Sequence, residues 1–141
     1  MAIEAKNIFY THLLLIPAVS FIVTVFLKWL FIKLKTGRIN ISSALGSGWM
    51  PSVHSAVVVS LTSAIAFAYW VGSDLFAIAM SFTVIIIYDA INVRFEAGQH
   101  AVAINEFLGK KRFKESLGHL PSEAFAWSLI WILVAIVLYY I

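Results

Sequence analysis

Between Lys6 and Lys28 the chain carries no charged residue, and from about Phe9 to Phe31 it is almost wholly apolar. A helix of that length crosses the roughly 30 Å hydrocarbon core of a bilayer. The segment opens too late and too aromatic for a signal peptide, and no small-residue cleavage site follows it. Pro17 is expected to bend it. Membrane insertion also fits the whole composition. Of 141 residues, 62% are hydrophobic and 12% charged, with a mean hydropathy of +0.93. A soluble chain of this size has no core large enough to hide that much apolar surface. The expectation is an all-α integral membrane bundle forming one domain over residues 1–141. Without cysteines, disulfide and thiolate chemistry are excluded.

A polar stretch, Lys33 to Gly48, follows the first span, with turn formers at Gly37, Gly46 and Gly48. A second helix should open at Pro51, because proline suits a first helical position. It carries Ala56 to Val71 and stops near Gly72-Ser73-Asp74. A third runs from Leu75 to about Ala90. Both apolar stretches are near the lower limit for a span, which suits tilted or protein-buried helices. From Asn92 to Phe107 the pattern is amphipathic, with Ala97, Ala101, Ile104 and Leu108 on one stripe, as in a helix on the membrane surface. The last span starts near Pro121 and reaches Ile141, with Tyr139 and Tyr140 as interfacial anchors. The sum is about four hydrophobic helices plus one interfacial amphipathic helix.

Basic residues fall in two clusters, Lys28, Lys33, Lys35 and Arg38, then Lys110, Lys111, Arg112 and Lys114. With four crossings, all ten Lys and Arg residues except Lys6 lie at one end of the bundle, and Asp74 lies at the other. The positive-inside rule makes the basic end cytoplasmic and places both termini outside, with the plasma or inner membrane as the expected location if the source is a bacterium. No basic face carries interleaved aromatics for base stacking, so nucleic acid is not an expected partner. Lipid is, and short spans favour a homo-oligomer.

Ionisable groups close to hydrocarbon are costly and each needs a reason. At the basic end they are Lys28, Arg38, His54, Asp89, Arg94, His119 and Glu123. Ser52 and His54 sit at the start of the second helix, where free N–H groups and the dipole attract an anion. His54 there is either a packing residue or a proton donor to a leaving oxygen. Glu123, four residues after His119, either steadies that imidazole or simply favours the helix start. Asp89 and Arg94 read as a structural ion pair or as a fork for phosphate oxygens. Lys28 either snorkels to the headgroups or reaches a shared site. His12 reads as interfacial. Glu96 and His100 share a helix face, and with Asp89 they offer a weaker, metal-dependent alternative.

The order of these residues resembles a known family. Lys28, then Met50-Pro51-Ser52-Val53-His54-Ser55-Ala56, then Asp89-Ala90-x-x-Val93-Arg94-x-x-Ala97-Gly98, then Leu117-Gly118-His119-x-Pro121-x-Glu123 is similar to the divergent branch of the type 2 phosphatidic-acid phosphatases. That branch is related to acid phosphatases and vanadium-dependent haloperoxidases. The resemblance implies His119 as nucleophile, His54 as general acid and Glu123 as the carboxylate orienting the nucleophile. It further implies Lys28 as a phosphate-binding group; where the motif arginines are missing, Arg94 or Arg112, with Arg94 preferred, and Arg38 by its place at the same end are expected to supply the charge, beside Ser52 at the helix start and Asp89 in a structural or orienting role. The implied activity is metal-independent, cofactor-free hydrolysis of a lipid-linked phosphomonoester or pyrophosphate through a phosphohistidine. The sequence also departs from the main family pattern of Lys-x6-Arg-Pro, Pro-Ser-Gly-His and Ser-Arg-x5-His-x3-Asp. No Arg-Pro follows Lys28 at that distance, Val53 stands where glycine is usual, and Phe113 stands where an arginine would precede His119. These departures keep open the alternative of a non-catalytic protein that binds phosphate or lipid headgroups in an inherited pocket.

Overall fold

A computed structural model describes residues 7–37 and 50–141. Its elements are α1 (Ile8–Thr11), α2 (Leu15–Thr36), α3 (Val53–Tyr69), α4 (Asp74–Tyr88), a π-helical turn (Asp89–Val93), α5 (Arg94–Leu108) and α6 (Pro121–Tyr140). No strand occurs among the described residues. Three helical runs have the length and apolar composition of membrane spans: α2, the continuous run Asp74–Leu108, and α6.

Two expectations change in detail. The first apolar segment is broken before Pro17 rather than bent at it: α1 ends at Thr11, capped by His12, and α2 starts at Leu15. Pro17 is then the third residue of α2, where a missing N–H costs no helical hydrogen bond. The third helix and the amphipathic helix are joined into one run of 35 residues through the π turn. Gly37 ends α2 in the left-handed conformation (φ 67°), as a C-terminal glycine should. The rest of the polar stretch, with Gly46 and Gly48, lies outside the described residues.

Helix α3 is the hub and packs against α2, α4 and α6. Lipid tails are as apolar as leucine, so helices in a membrane are held by close packing and interhelical hydrogen bonds. Both are present. Along α2 the buried positions Ile16, Ser20, Thr24, Lys28 and Ile32 recur every four residues. Ile16 and Ala64 share one core cluster, and at the other end Lys28 acts on His54, so the two helices run antiparallel. Ser20, Thr24 and Lys28 continue the buried ridge of α2, and Ser60, Ala56 and Ser52 continue a buried ridge with the same four-residue spacing from Ala64 to the cap of α3. The eight residues from Ile16 to Lys28 and from Ser52 to Ala64 on these ridges are at most 2% exposed. The small side chains of Ser52, Ala56, Ser60 and Ala64 let the backbones approach closely.

On another face, the Thr62 hydroxyl meets the Thr83 hydroxyl at 2.8 Å and donates to the Ala79 carbonyl at 3.2 Å. Such interhelical bonds contribute on the order of 0.6 kcal/mol each in bilayers. Trp131 of α6, 1% exposed, packs against Ala56 and Val59. At the far end, Asn7 Nδ2 donates to the Leu138 carbonyl at 2.7 Å and the Tyr10 hydroxyl to the Ala135 carbonyl at 2.9 Å. Tyr139 packs edge-on against Tyr10 and stacks on Phe67, so of the two expected interfacial tyrosines it serves the core, while Tyr140 is exposed.

The α2–α3 contact should not tolerate added bulk. Ala64→Leu is expected to cost about 1–3 kcal/mol through overpacking and to lower the thermal midpoint in detergent. Ile22→Leu, on the lipid-facing side of α2, should leave the midpoint unchanged.

Candidate functional site

At the end of the bundle opposite α1, four elements converge: the second half of α2, the start of α3, the π turn and the start of α6. Lys28 lies eight residues before the end of α2, about 12 Å along the axis. It is 2% exposed and faces α3, so its side chain runs into the bundle instead of out to the headgroups. Burial of a charged side chain at this depth costs about 2.5–3.5 kcal/mol, which implies a purpose for it.

Ser52 is the N-cap of α3. Its hydroxyl accepts from the Ser55 N–H at 3.4 Å, and the side chain is 1% exposed. His54 sits in the first turn and is exposed. Lys28 is within electrostatic reach of His54 in the first turn of α3, and α2 continues two further turns beyond Lys28 as an overhang. The overhang forms one wall of a cavity of about 380 Å³ lined by Phe31, Lys35, Met50, Ser116, Gly118, His119 and Glu123.

The π turn organises the opposite wall. In an α-helix the neighbours of a residue lie three and four positions on, so Asp89 and Arg94 would point apart. In the π turn the Arg94 N–H donates five residues back, to the Asp89 carbonyl. That one-residue shift stacks Arg94 over Asp89, and the guanidinium Nε donates to the Asp89 carboxylate. It also withdraws the Arg94 N–H from the Ala90 carbonyl, which accepts the His119 N–H at 3.1 Å. The bond seats His119 against the turn. Gly118 makes this approach feasible. Its φ of 73° is left-handed, and a Cβ at that position would collide with the backbone of Phe95 and Arg94. Gly98 does the same one turn on, where a Cβ would lie 2.9 Å from the Glu115 carbonyl and 3.0 Å from that of Leu117.

His119 is 8% exposed. Burial lowers its pKa below the ordinary 6.5; Glu123 opposes that shift, and the positive fields of Lys28, His54 and Arg94 reinforce it. His54 in turn lies in the fields of Arg94, Asp89 and Lys28. Lys28 and Arg94 are therefore within electrostatic reach of both histidines, with Glu123 acting on His119 and Asp89 on His54. Glu123 makes its hydrogen bond to the Leu120 N–H at 2.9 Å, closing the first turn of α6, and acts on the imidazole through space. Arg38 lies outside the described residues. His12 is exposed at the far end, and Asp89, Glu96 and His100 do not gather as a metal-ligating group among the described residues.

The sequence reading did not single out Lys35 and Ser116, which line the cavity, or Asn105. Asn105 uses its full hydrogen-bonding capacity. Its Nδ2 donates to the Phe113 carbonyl and to Glu115 Oε1, and its Oδ1 accepts from the Arg112 and Phe113 N–H groups, all within 2.8–2.9 Å. An asparagine followed by a glycine helix stop and a basic loop was the available signal.

A family model described as the divergent PAP2 family matches residues 9–134. The chain belongs to the divergent PAP2 family. Among curated proteins, the uncharacterized membrane protein YuiD of Bacillus subtilis (strain 168) is 34% identical, over 73% of this chain and 78% of that protein. No solved structure matches the chain significantly.

The depressed pKa makes a prediction about stability. The unfolded chain takes up the His119 proton near pH 6.5, before the folded protein does, so stability should fall as pH drops below that value and be unaffected above it. Thermal midpoints measured from pH 8 to 5 should decline more steeply for the native chain than for His119→Gln. A histidine ¹⁵N titration should place the His119 midpoint below 6.5.

Proposed function

We propose that this membrane protein is a metal-independent phosphatase acting on a lipid-linked phosphomonoester or pyrophosphate. The observation that carries this reading is the placement of His119. It is a buried imidazole whose burial favours the neutral ring, fixed by its own backbone at the wall of a cavity, within the fields of Lys28, Arg94 and a second histidine. A neutral ring nitrogen has the lone pair that a nucleophile needs.

In the first step a His119 nitrogen attacks phosphorus and the bond to the leaving oxygen breaks. His54 supplies that oxygen with a proton, which it holds once the bound phosphate offsets the positive fields of Arg94 and Lys28 at its ring. Lys28, Arg94 and the free N–H groups behind Ser52 stabilise charge on the equatorial oxygens. The Nε bond to Asp89 orients Arg94 and uses only one of the guanidinium's nitrogens, so the other two can serve phosphate oxygens. In the second step water attacks the phosphohistidine, the P–N bond breaks, and His54 recovers a proton from the water. Glu123 favours the positive charge that His119 carries between the two steps.

A second reading has its own support. Glu123 is engaged by the Leu120 N–H, and Val53 stands where the main family has glycine, so the same pocket serves equally for holding a phosphate headgroup without turnover. Purified protein assayed on a panel of lipid phosphates separates the two. Turnover should survive EDTA, be blocked by vanadate, and fall about 10²–10⁴-fold in His119→Ala and in His54→Ala. Full turnover in both variants would overturn the assigned roles. Vanadate binding without turnover in the native chain would select the headgroup-binding reading.

The positive-inside rule puts this site on the cytoplasmic face. In intact cells, cysteine introduced by Lys110→Cys should react with a membrane-permeant thiol reagent and not with an impermeant one. Labelling by the impermeant reagent would reverse the orientation.

A further inference from the structure

Lys35 and Ser116 line the cavity that holds His119, and the two-step chemistry at His119 uses neither. Lys35 lies in the last turn of α2, seven residues after Lys28, so the two share a helix face about 10 Å apart along the axis. A lysine in a last helical turn is often there only to offset the helix dipole or to reach the headgroups. Lys33, in the same turn, fits that ordinary role, with its ammonium 5.1 Å from the Trp29 ring. Lys35 instead borders the cavity, with Phe31 one turn before it.

Ser116 comes from the loop ahead of α6, and main chain fixes it there. The carbonyls on either side, those of Glu115 and Leu117, pack against Gly98. The Leu117 N–H donates to the Glu115 carbonyl at 3.0 Å, closing a tight turn around Ser116. Asn105 Nδ2 holds the Phe113 carbonyl at 2.8 Å and Glu115 Oε1 at 2.9 Å, which secures the loop just ahead of Ser116.

The direction of displacement gives this pair a task. Attack on phosphorus proceeds in line, with the leaving oxygen on the side away from the nucleophile. With His119 on the α6 side of the cavity, the leaving group points to the α2 side, toward Phe31 and Lys35. An alkoxide leaving group needs a proton there and gains little from a fixed cation once it is protonated. A phosphate leaving group keeps negative charge as it departs, and an ammonium with a hydroxyl suits its oxygens.

We infer that Lys35 and Ser116 form a second phosphoryl subsite, and that the substrate is a lipid-linked diphosphate rather than a monoester. This rests on the phosphatase reading above and narrows it. A His119 nitrogen attacks the terminal phosphorus, the bond to the bridging oxygen breaks, and the electron pair leaves on that oxygen. The bridging oxygen, now part of a lipid monophosphate held by Lys35 and Ser116, takes its proton from His54. Water then cleaves the phosphohistidine and releases orthophosphate. Phe31 and Met50, which line the same cavity, receive the first carbons of the lipid chain.

Decyl diphosphate and decyl phosphate differ only in the second phosphoryl group and test this on the purified chain in nanodiscs. The native chain should show a kcat/KM about tenfold or more higher for the diphosphate, the size of one charge-assisted contact. Lys35→Gln should lower the diphosphate value about tenfold and the monoester value less than twofold, and Lys35→Arg should restore most of the preference. Lys110→Gln, the same charge change outside the cavity, should alter neither. Binding gives the comparison without turnover: methylenediphosphonate should outbind methylphosphonate in the native chain and not in Lys35→Gln. An equal loss for both substrates in Lys35→Gln would overturn the inference and leave the phosphatase standing, since Lys35 would then serve the attacked phosphate or the Glu123 carboxylate. So would a native chain with no preference for the diphosphate. A native chain that neither turns over nor binds any of these compounds would overturn the phosphatase reading as well.

Discussion

A helix bundle in lipid has no water to expel from between its helices, so it must be held by how closely they fit. In this protein that requirement falls on α3. Serine and alanine at Ser52, Ala56, Ser60 and Ala64 bring it against α2, and the Thr62–Thr83 hydroxyl pair ties it to α4. Trp131 of α6 closes a further side. Everything at the polar end inherits its position from this contact. Lys28 is inside the bundle because it falls on the buried ridge of α2, the helix that packs against α3, and Ser52, equally buried, caps α3.

The π turn does the complementary work on the other wall. By moving one hydrogen bond a single residue, it aligns an ion pair that a regular helix would separate and offers a carbonyl to a distant loop. Turns of this kind recur at functional positions because they trade helical regularity for a specific backbone group. The trade is small and local. It allows residues far apart in sequence, Ala90 and His119, to be fixed to each other by main chain alone, with Gly118 providing the clearance.

Much of this was legible in the residues. Proline at Pro51 and Pro121 marked helix starts, and the polar groups at those starts drew attention because membranes make them costly. Family motifs then ordered Lys28, His54, His119 and Glu123. What stayed hidden depends on geometry that has no one-dimensional trace. Burial of Lys28 follows from the register of two helices, and no spacing within α2 alone distinguishes burial from snorkelling. The π turn has no sequence period of its own, so the amphipathic segment read as a separate helix when it continues α4. Lys35 lines the cavity only because α2 outruns α3. Glu123 faced two competing partners in sequence, an imidazole ahead of it and an unsatisfied N–H at the helix start, and the shorter reach won the hydrogen bond.

The unequal lengths of α2 and α3 carry one more implication. The cavity takes Phe31 and Lys35 from the last turns of the longer helix and Gly118, His119 and Glu123 from the loop and first turn that lead into α6, so sliding α2 along its axis would reshape the pocket while leaving the His119 main chain in place.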